Sequence, residues 1–320
     1  MTAETSQFDL AGKQIWVAGH AGMVGSAILR RLQRENCTLI TAELSSLDLR
    51  RQREVEDWFA EFKPAVVILA AAKVGGILAN NTWPAEFIYD NLVIETNVIE
   101  AARRTGVAKF MLLGSSCIYP KLAPQPLVEE ALLTGPLEPT NEWYAMAKIA
   151  GIKLCQAYRR QYGCDFISVM PTNLYGPGDN FSLESSHVVP ALMRKFHEAK
   201  ERGDTEVIAW GTGTPRRELL HVDDMADACI HLMKVYSAEG HVNIGTGRDL
   251  TIKELVQLVK DVVGYEGRVR FDASKPDGTP QKLLDVTRLH TLGWRYRIEL
   301  ASGLAQTYDW FKTHLTRARL

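Results

Sequence analysis

Cysteine is scarce in this chain. The 320 residues hold five cysteines, an odd number, and none lies in a Cys-x-x-Cys pair. A disulfide framework needs paired cysteines and a zinc site usually needs closely spaced ones, so we predict neither, and no metal site of another kind. Free thiols are typical of a reducing compartment, and we therefore expect a cytoplasmic protein.

Long apolar runs and an excess charge of one sign are also missing. No stretch of about eighteen apolar residues occurs, so we predict no transmembrane helix and no membrane partner. The 37 basic and 38 acidic residues leave a net charge of −1. That balance gives no electrostatic reason to expect a nucleic-acid partner.

Apolar segments of two kinds alternate along the first half of the chain. Short continuous runs such as Val66-Val67-Ile68-Leu69 indicate strands that are buried on both faces, as in a parallel sheet. The predicted strands are Gln14–Ala18, Thr38–Thr41, Ala65–Ala70, Lys109–Leu113 and Asp165–Met170, and the predicted helices between them are Met23–Glu35, Arg50–Phe62, Ala85–Arg104 and Tyr144–Tyr162. This order predicts an α/β protein with a Rossmann-type, doubly wound parallel sheet.

The pattern of the sequence changes after Pro171. Residues 171–178 read Pro-Thr-Asn-Leu-Tyr-Gly-Pro-Gly, which is typical of a loop. Helical patterns follow at His187–Arg202, Val222–Val235, Ile252–Val263 and Leu304–His314, mixed with short strands. We predict that residues 1–171 form the sheet domain, completed by a segment near 206–250. Residues 172–320 would mainly form a smaller α/β lobe over the carboxyl ends of the strands, where such sheets bind ligands.

A glycine-rich turn joins the first predicted strand to the first predicted helix. It reads Gly19-His20-Ala21-Gly22-Met23-Val24-Gly25. Strand, turn and helix in this order are the context of a dinucleotide-binding fingerprint, in which glycines admit a pyrophosphate to the helix N-terminus. The spacing is Gly-x-x-Gly-x-x-Gly, and a turn without any ligand is the alternative.

Tyr144 and Lys148 lie four residues apart in a predicted helix and therefore on one face of it. A lysine cation beside a phenol lowers the phenol's pKa from about 10 toward working pH. The tyrosine can then exchange a proton while hydride moves at a carbonyl. Ordinary amphipathic helices contain the same pair, so its weight comes from the glycine turn and from Gly114-Ser115-Ser116-Cys117-Ile118-Tyr119 ahead of it.

With these motifs the chain resembles the GDP-L-fucose synthases, a family of the extended short-chain dehydrogenase/reductases. The resemblance covers nearly the whole chain and rests on the glycine turn, Gly114–Pro120, Tyr144–Lys148, Ala71–Gly76, Pro171–Pro177 and Lys275–Pro280. It implies NADPH-dependent conversion of GDP-4-keto-6-deoxy-D-mannose to GDP-L-fucose, by epimerisation at C3 and C5 and then reduction of the C4 ketone.

The resemblance implies a role for five side chains. Ser115 and Tyr144 would hydrogen-bond the C4 oxygen, Tyr144 would donate the proton in reduction, and Lys148 would lower its pKa and bind the cofactor ribose. Cys117 and His187 match the family's acid/base pair for epimerisation, since a thiol and an imidazole both exchange protons near neutral pH. Without the resemblance, Cys117 reads as a small buried hydrophobe and His187 as a residue at a helix start.

Further binding residues are implied only by the resemblance. The cofactor positions are Gly19, Gly22, Met23, Val24, Gly25, Lys148, Pro171, Thr172, Asn173, Leu174 and His187, and the positions for the GDP-sugar are Lys195, Trp210, Arg217 and Asp277. Arg217 suits a diphosphate, because a guanidinium binds phosphate in a bidentate manner. The alternatives are a solvated Lys195, a Trp210 that caps the core and an Asp277 that only forms a turn.

The chain departs from the family pattern at the cofactor's ribose. Members that use NADPH commonly carry an arginine after the first glycine-histidine pair and another just after the second strand, where this chain has Ala21 and Thr41-Ala42-Glu43-Leu44. Glu43 lies about where an acidic side chain accepts a hydrogen bond from the ribose 2′-hydroxyl of NAD. We expect NADP from the family, while the local residues leave NAD or dual use open.

Two other functions stay open at this point. A related GDP-sugar epimerase-reductase of the colitose-synthase type would keep every motif named above. An NADP-sensing protein on the same fold would be expected to have lost the tyrosine or the lysine. The family is dimeric, so the resemblance also implies a homodimer, whose interface would use the helices Ala85–Arg104 and Ile149–Tyr162 and apolar residues such as Ile88, Leu92 and Val93.

Overall fold

The computed structural model of the chain describes residues 7–275 and 277–314. Its strands are β1 (Gln14–Ala18), β2 (Thr38–Ile40), β3 (Val66–Leu69), β4 (Lys109–Leu113), β5 (Phe166–Pro171), β6 (Asn173–Tyr175), β7 (Glu206–Trp210), β8 (Arg216–His221), β9 (Val242–Ile244), β10 (Asp249–Thr251), β11 (Arg268–Asp272) and β12 (Gln281–Lys282). Its helices are α1 (Met23–Leu32), α2 (Gln52–Phe62), α3 (Ile77–Thr82), α4 (Pro84–Arg104), α5 (Glu142–Tyr162), α6 (Val188–Arg202), α7 (Val222–Val235), α8 (Ile252–Val263), α9 (Thr287–Thr291) and α10 (Leu300–Thr313). Short 3-10 turns lie at Ser116–Ile118 and Glu129–Ala131. Among these helices, none is long and apolar enough to cross a membrane.

The central sheet runs in the order β2-β1-β3-β4-β5-β9, and every neighbouring pair is parallel. Parallel neighbours need a crossover connection, which is why helices separate the strands along the sequence. The strands β3 and β4 are buried at every residue, as their continuous apolar runs predicted. The doubly wound α/β fold is thus confirmed, and the strands and helices predicted for residues 1–171 all occur, with ends that differ by a few residues.

Helices cover both faces of this sheet. On one face, α1 and α7 pack over a core that includes Ile15 and Val17. On the other face, α2, α4 and α5 pack over a core that includes Trp16 and Phe59. Because successive residues of a strand point to opposite faces, β1 alone contributes to both cores.

A smaller lobe is built mainly by the second half of the chain. Its core lies between α6, α8, α10 and the strand pair β7–β11. A second sheet joins β6, β8, β10 and β12. The segment 171–178, predicted to be a loop, is one only in part, because β6 hydrogen-bonds to β8 as a parallel strand. Tyr175 in this strand is buried. The prolines and glycines around the strand are typical of a loop, so the sequence pattern did not predict it.

The topology brings distant motifs to one edge of the central sheet. The strand β1 leads into Gly19, β4 leads into Gly114, and β5 leads into Thr172. Since the strands are parallel, these three carboxyl ends lie at the same edge of the sheet, with β3 between β1 and β4. Open α/β sheets bind their ligands at this edge. The last strand, β9, comes from within the segment 206–250 and pairs with β5.

Candidate active site

The turn between β1 and α1 is closed by its first and last glycines. Gly19 has a positive φ of 87°, and a Cβ there would lie 2.5 Å from the backbone nitrogen of Ala71. A Cβ on Gly25 would overlap the carbonyl oxygen of Gly19, whereas a Cβ on Gly22 would meet nothing closer than 3.5 Å. No side chain caps α1 at Gly22, which leaves the N–H groups of its first turn, at Met23 and Val24, available to an anion such as a pyrophosphate.

Ser115 and Cys117 lie where β4 ends. The Ser115 hydroxyl oxygen caps the following 3-10 turn by accepting a hydrogen bond from the Cys117 backbone N–H at 3.4 Å. Burial raises the pKa of the Cys117 thiol, while the positive charge of Lys282 opposes that shift. The thiol therefore holds its proton at neutral pH and is poised as an acid.

Tyr144 and Lys148 lie in the first two turns of α5. The Lys148 ammonium lies 5.7 Å from the centre of the Tyr144 ring. The pKa of the Tyr144 phenol is nevertheless raised to about 12, because burial outweighs the lowering effect of Lys148. The predicted net lowering of this pKa is therefore wrong. The sequence shows the charge beside the phenol but not the burial around it.

A cleft of about 320 Å³ opens between the segment after β5 and the smaller lobe. Of the residues implied by the resemblance, Asn173, Leu174, His187, Lys195, Trp210, Arg217 and Asp277 line it. Cys117 lines a smaller cavity beside this cleft. The two cavities share Glu138, Asn141, Thr279 and Lys282 as lining residues, so the cavity beside Cys117 adjoins the cleft.

His187 lies on the wall of the cleft, at the N-cap position of α6. The side chain is exposed to the cleft. Partial desolvation by the cleft walls, together with the positive charge of Lys282, lowers the pKa of its imidazole. The ring is therefore neutral at pH 7 and able to accept a proton. The site thus combines a protonated Cys117 with a neutral His187.

The residues after β5 are held by the smaller lobe. Thr172 Oγ1 donates a hydrogen bond to the backbone carbonyl oxygen of Glu218 at 3.2 Å, and Asn173 Nδ2 donates to the same oxygen at 2.9 Å. Pro171 and Thr172 are buried, whereas Asn173 and Leu174 are half-buried and reach the cleft. This segment is consequently a fixed wall between the sheet and the cleft.

Two cations and one indole face the cleft from the smaller lobe. The Arg217 guanidinium donates to the backbone carbonyl oxygen of Asp277 at 3.2 Å; burial lowers its pKa, but an arginine in a protein stays charged. The Lys195 ammonium lies 5.0 Å from the centre of the Trp210 ring, and that tryptophan is 50% exposed. An anionic ligand with a planar base suits these groups.

Asp277 has partners of its own. Its carboxylate oxygens accept hydrogen bonds from the backbone N–H and the hydroxyl of Thr212, both at 2.8 Å. These bonds fix the turn at residues 211–214 and agree with the alternative of a turn aspartate. Asp277 also lines the cleft, so the two roles are compatible.

Lys282 is a site residue that the sequence analysis missed. It lies in β12 and lines both cavities. Burial lowers the pKa of its ammonium, Cys117 opposes that shift, and the charge of Arg217 adds to it. The neighbouring motif Lys275–Pro280 was noticed, but nothing in the pattern distinguished Lys282 from a lysine on a solvated strand.

An acidic residue from the segment after β2, Glu43, lies beside the glycine turn. His20 Nε2 lies 3.0 Å from Glu43 Oε1, and this contact ties the turn to the segment after β2. The Glu43 side chain is 67% exposed. Arg50 is ion-paired with Asp48 at 2.9 Å, and the side chain of Arg51 is 72% exposed. An exposed carboxylate that can accept hydrogen bonds therefore lies beside the turn.

The chain matches known proteins over most of its length. A family model described as "NAD dependent epimerase/dehydratase family" matches residues 15–245. GDP-L-fucose synthase 1 of Arabidopsis thaliana is 61% identical over 97% of this chain and 96% of its own length, and the GDP-L-fucose synthase of Escherichia coli strain K12 is 58% identical over 97% and 100%. A crystal structure of a GDP-L-fucose synthetase from Naegleria fowleri bound to NADP has a TM-score of 0.91 at 28% identity, over 98% of this chain and 99% of that one. The chain therefore belongs to the NAD dependent epimerase/dehydratase family and, within it, to the GDP-L-fucose synthases.

Proposed function

We propose that this protein converts GDP-4-keto-6-deoxy-D-mannose to GDP-L-fucose by epimerising C3 and C5 and then reducing the C4 ketone. One observation carries the proposal: residues for two chemistries meet in one place. Cys117 and His187 line neighbouring cavities, and Cys117 is close enough to Tyr144 and Lys148 to affect the pKa of both. A one-step reductase would need neither Cys117 nor His187.

The epimerisation uses an acid and a base on a carbon acidified by the neighbouring ketone. The neutral imidazole of His187 accepts a proton from C3 or C5, and the thiol of Cys117 returns a proton to the same carbon from the other side. Ser115 and Tyr144 donate hydrogen bonds to the enolate oxygen that forms at C4. Exchange with solvent then restores both groups before the second carbon reacts.

The reduction uses Tyr144 as the acid. Its raised pKa keeps the phenol protonated at neutral pH, which is the state that donates a proton to the C4 oxygen. The Ser115 hydroxyl hydrogen-bonds the same oxygen as negative charge develops on it. When bound, a reduced nicotinamide supplies the hydride for C4.

The cofactor is held by residues that fit a dinucleotide. Gly19 and Gly25 close the turn at two positions that have no room for a side chain, and the uncapped start of α1 suits a pyrophosphate. Lys148 would bind the ribose next to the nicotinamide. We take NADP as the cofactor from the relative that binds it, and Glu43 beside the turn leads us to propose weak discrimination against NAD.

The GDP moiety of the substrate binds to the smaller lobe. Arg217 and Lys195 supply positive charge for the diphosphate, and a guanidinium can hold two phosphate oxygens at once. The exposed face of Trp210 offers a surface on which the guanine base can stack. This arrangement leaves the hexose toward Cys117 and His187.

We also propose a homodimer that pairs α4 and α5 of two subunits. On α4, Tyr89 is 64% exposed, and Ile88, Leu92 and Val93 are half-buried; on α5, Met146 is 46% exposed. These apolar surfaces lie on two helices that already pack together within the subunit. A two-fold axis beside them would bury both faces in a four-helix arrangement.

The test is incubation with GDP-4-keto-6-deoxy-D-mannose and NADPH or NADH, with the product identified by NMR. GDP-L-fucose is the expected product. Turnover only of a 3,6-dideoxy-4-keto sugar would favour the colitose-synthase type instead. Binding of the cofactor without turnover of either sugar would favour an NADP-sensing protein, although the intact Ser115, Tyr144 and Lys148 argue against it.

A further inference from the structure

The ammonium of Lys148 is bound by a carboxylate from the neighbouring helix. Lys148 Nζ donates a hydrogen bond to Glu95 Oε1 at 2.8 Å, and the two side chains are 2% and 1% exposed. Lys148 belongs to α5, whereas Glu95 belongs to the middle of α4. The bond therefore connects the helix that carries Tyr144 to its packing partner.

The two helices leave room for this carboxylate. A Cβ on Gly151 of α5 would overlap Glu95 Oε2 and would lie 2.9 Å from Leu112 Cδ2. Oε2 is buried and has no hydrogen-bond partner among the described residues, so Lys148 is what balances the carboxylate there. A buried ion pair adds little stability, because desolvation of the two charges costs about as much as their attraction returns. The pair therefore calls for a functional explanation.

We propose that Glu95 is a positioning residue for the reduction, whose carboxylate fixes the Lys148 ammonium and partly neutralises it, so that Tyr144 keeps the proton it must donate. This inference rests on the proposed function. Glu95 binds one of the three N–H donors of the ammonium, which leaves two for ribose hydroxyls. Without Glu95, the full positive charge of Lys148 would favour the phenolate, which cannot donate a proton.

The charged and ionisable groups around the Lys148–Glu95 pair agree with the proposal that Glu95 raises the pKa of Tyr144. The ionisable neighbours that affect the pKa of Tyr144 are Lys148, which lowers it, and Cys117 and Glu95, which raise it. The pKa of Lys148 is raised, chiefly by Glu95 acting against burial. Cys155 also lies near Glu95, but burial raises its pKa to about 12 and keeps it neutral.

The test is the pH dependence of kcat for NADPH oxidation with GDP-4-keto-6-deoxy-D-mannose, in the wild type and in Glu95→Gln. Removing the negative charge lowers the pH at which the Tyr144–Lys148 pair loses its first proton, whichever of the two releases it. We expect the alkaline limb of the profile to move down by about 1–3 pH units. An alkaline limb that does not move in the folded variant overturns the proposal.

Two further variants distinguish a specific effect of the Glu95 charge from the general effect of replacing a buried glutamate. Glu129→Gln is the matched control, because Glu129 is another buried glutamate, bonded to the Asn243 backbone N–H at 3.1 Å, and should leave the limb in place. Glu95→Asp keeps the charge but draws it away from Lys148, so the limb should move in the same direction by less. If Glu95→Gln does not fold, the test rests on Glu95→Asp. The proposal is overturned if the alkaline limb does not move in Glu95→Asp, or if it moves as far in Glu129→Gln as in the Glu95 variant.

A second readout does not depend on turnover. The ¹⁵Nζ NMR signal of Lys148, identified by its loss in Lys148→Arg, should titrate at a lower pH in Glu95→Gln than in the wild type. An unchanged titration contradicts the role of Glu95 directly. A wild type that turns over no GDP-sugar contradicts the proposed function but leaves this measurement valid.

Discussion

Burial raises the pKa of the Tyr144 phenol and the charge of Lys148 lowers it, and the effect of burial is the larger one. The phenol lies beside a lysine, yet its pKa is raised to about 12. The same effect raises the pKa of Cys117 and lowers that of His187. Each residue is consequently held in its neutral form at pH 7, which gives two acids and one base for a reaction that needs them all.

The role of Tyr144 is tested by Tyr144→Phe. The substitution keeps the ring and removes the acidic proton, so we expect NADPH oxidation with the GDP-sugar to fall by roughly 10² or more. GDP binding, measured by calorimetry, should change little, because the phenol adjoins Cys117 and not the groups assigned to the diphosphate. Near-normal oxidation in the variant would remove Tyr144 from its assigned role.

Cys117→Ser and His187→Gln should impair epimerisation while leaving reduction of the C4 ketone possible. Both variants lack one partner of the acid/base pair, and we expect deuterium incorporation at C3 and C5, followed by NMR in D₂O, to fall by roughly 10² or more. The unepimerised ketone can still be reduced, giving a different GDP-deoxyhexose. Wild-type exchange rates in both variants would show that the acid/base assignment is wrong.

The pH range of epimerisation follows from the directions of the two pKa shifts. A lowered pKa of His187 means that the base is lost only below about pH 6.5, and a raised pKa of Cys117 means that the acid is lost only above about pH 8.5. Deuterium exchange should therefore be nearly constant between these values. A maximum with both limbs inside that range would contradict the protonation states assigned here.

At the scale of elements, we propose that the turn between β1 and α1 and the segment after β2 set the preference between NADPH and NADH. His20 and Glu43 join these two segments by a contact of 3.0 Å. An acceptor there suits a ribose 2′-hydroxyl and repels a 2′-phosphate. The fold alone does not fix this choice, because the same turn would serve either cofactor.

Ala21→Arg tests the origin of the cofactor preference. A charged hydrogen bond to the 2′-phosphate is worth about 1.5–3 kcal/mol, so kcat/KM for NADPH should rise roughly ten- to a hundredfold while that for NADH stays nearly unchanged. Ala21→Gln adds a side chain without the charge and should leave both values near those of the wild type. A wild-type preference for NADPH above about a thousandfold would reveal a phosphate-binding group elsewhere.

At the scale of the whole molecule, the proposed dimer uses the same helices that hold the Lys148–Glu95 pair. We expect light scattering at micromolar concentration to give twice the mass of the 35.8 kDa chain. Tyr89→Glu would place a charge in the interface and should shift the mass to that of a monomer. Leu122→Glu is the matched control, because Leu122 is 80% exposed and lies in a loop. A wild-type monomer contradicts the dimer.

The sequence alone determined the parallel sheet, because alternating apolar runs and amphipathic helices have few other ways to bury their faces. It also placed the glycine turn, Ser115 and the Tyr144–Lys148 pair in the order that a dinucleotide-dependent reductase requires. The division into two domains at residue 171 and the roles of the site residues stay predictions.

Only the tertiary structure decided which distant groups share one environment. Lys282 reaches Cys117 and His187 through a strand of another sheet, and Glu95 reaches Lys148 across a helix pair. Burial likewise reversed the expected shift of the Tyr144 pKa, because desolvation depends on every atom packed around a group. Local sequence patterns report which residues lie on one face of an element, but not which charges from other elements come to lie beside them.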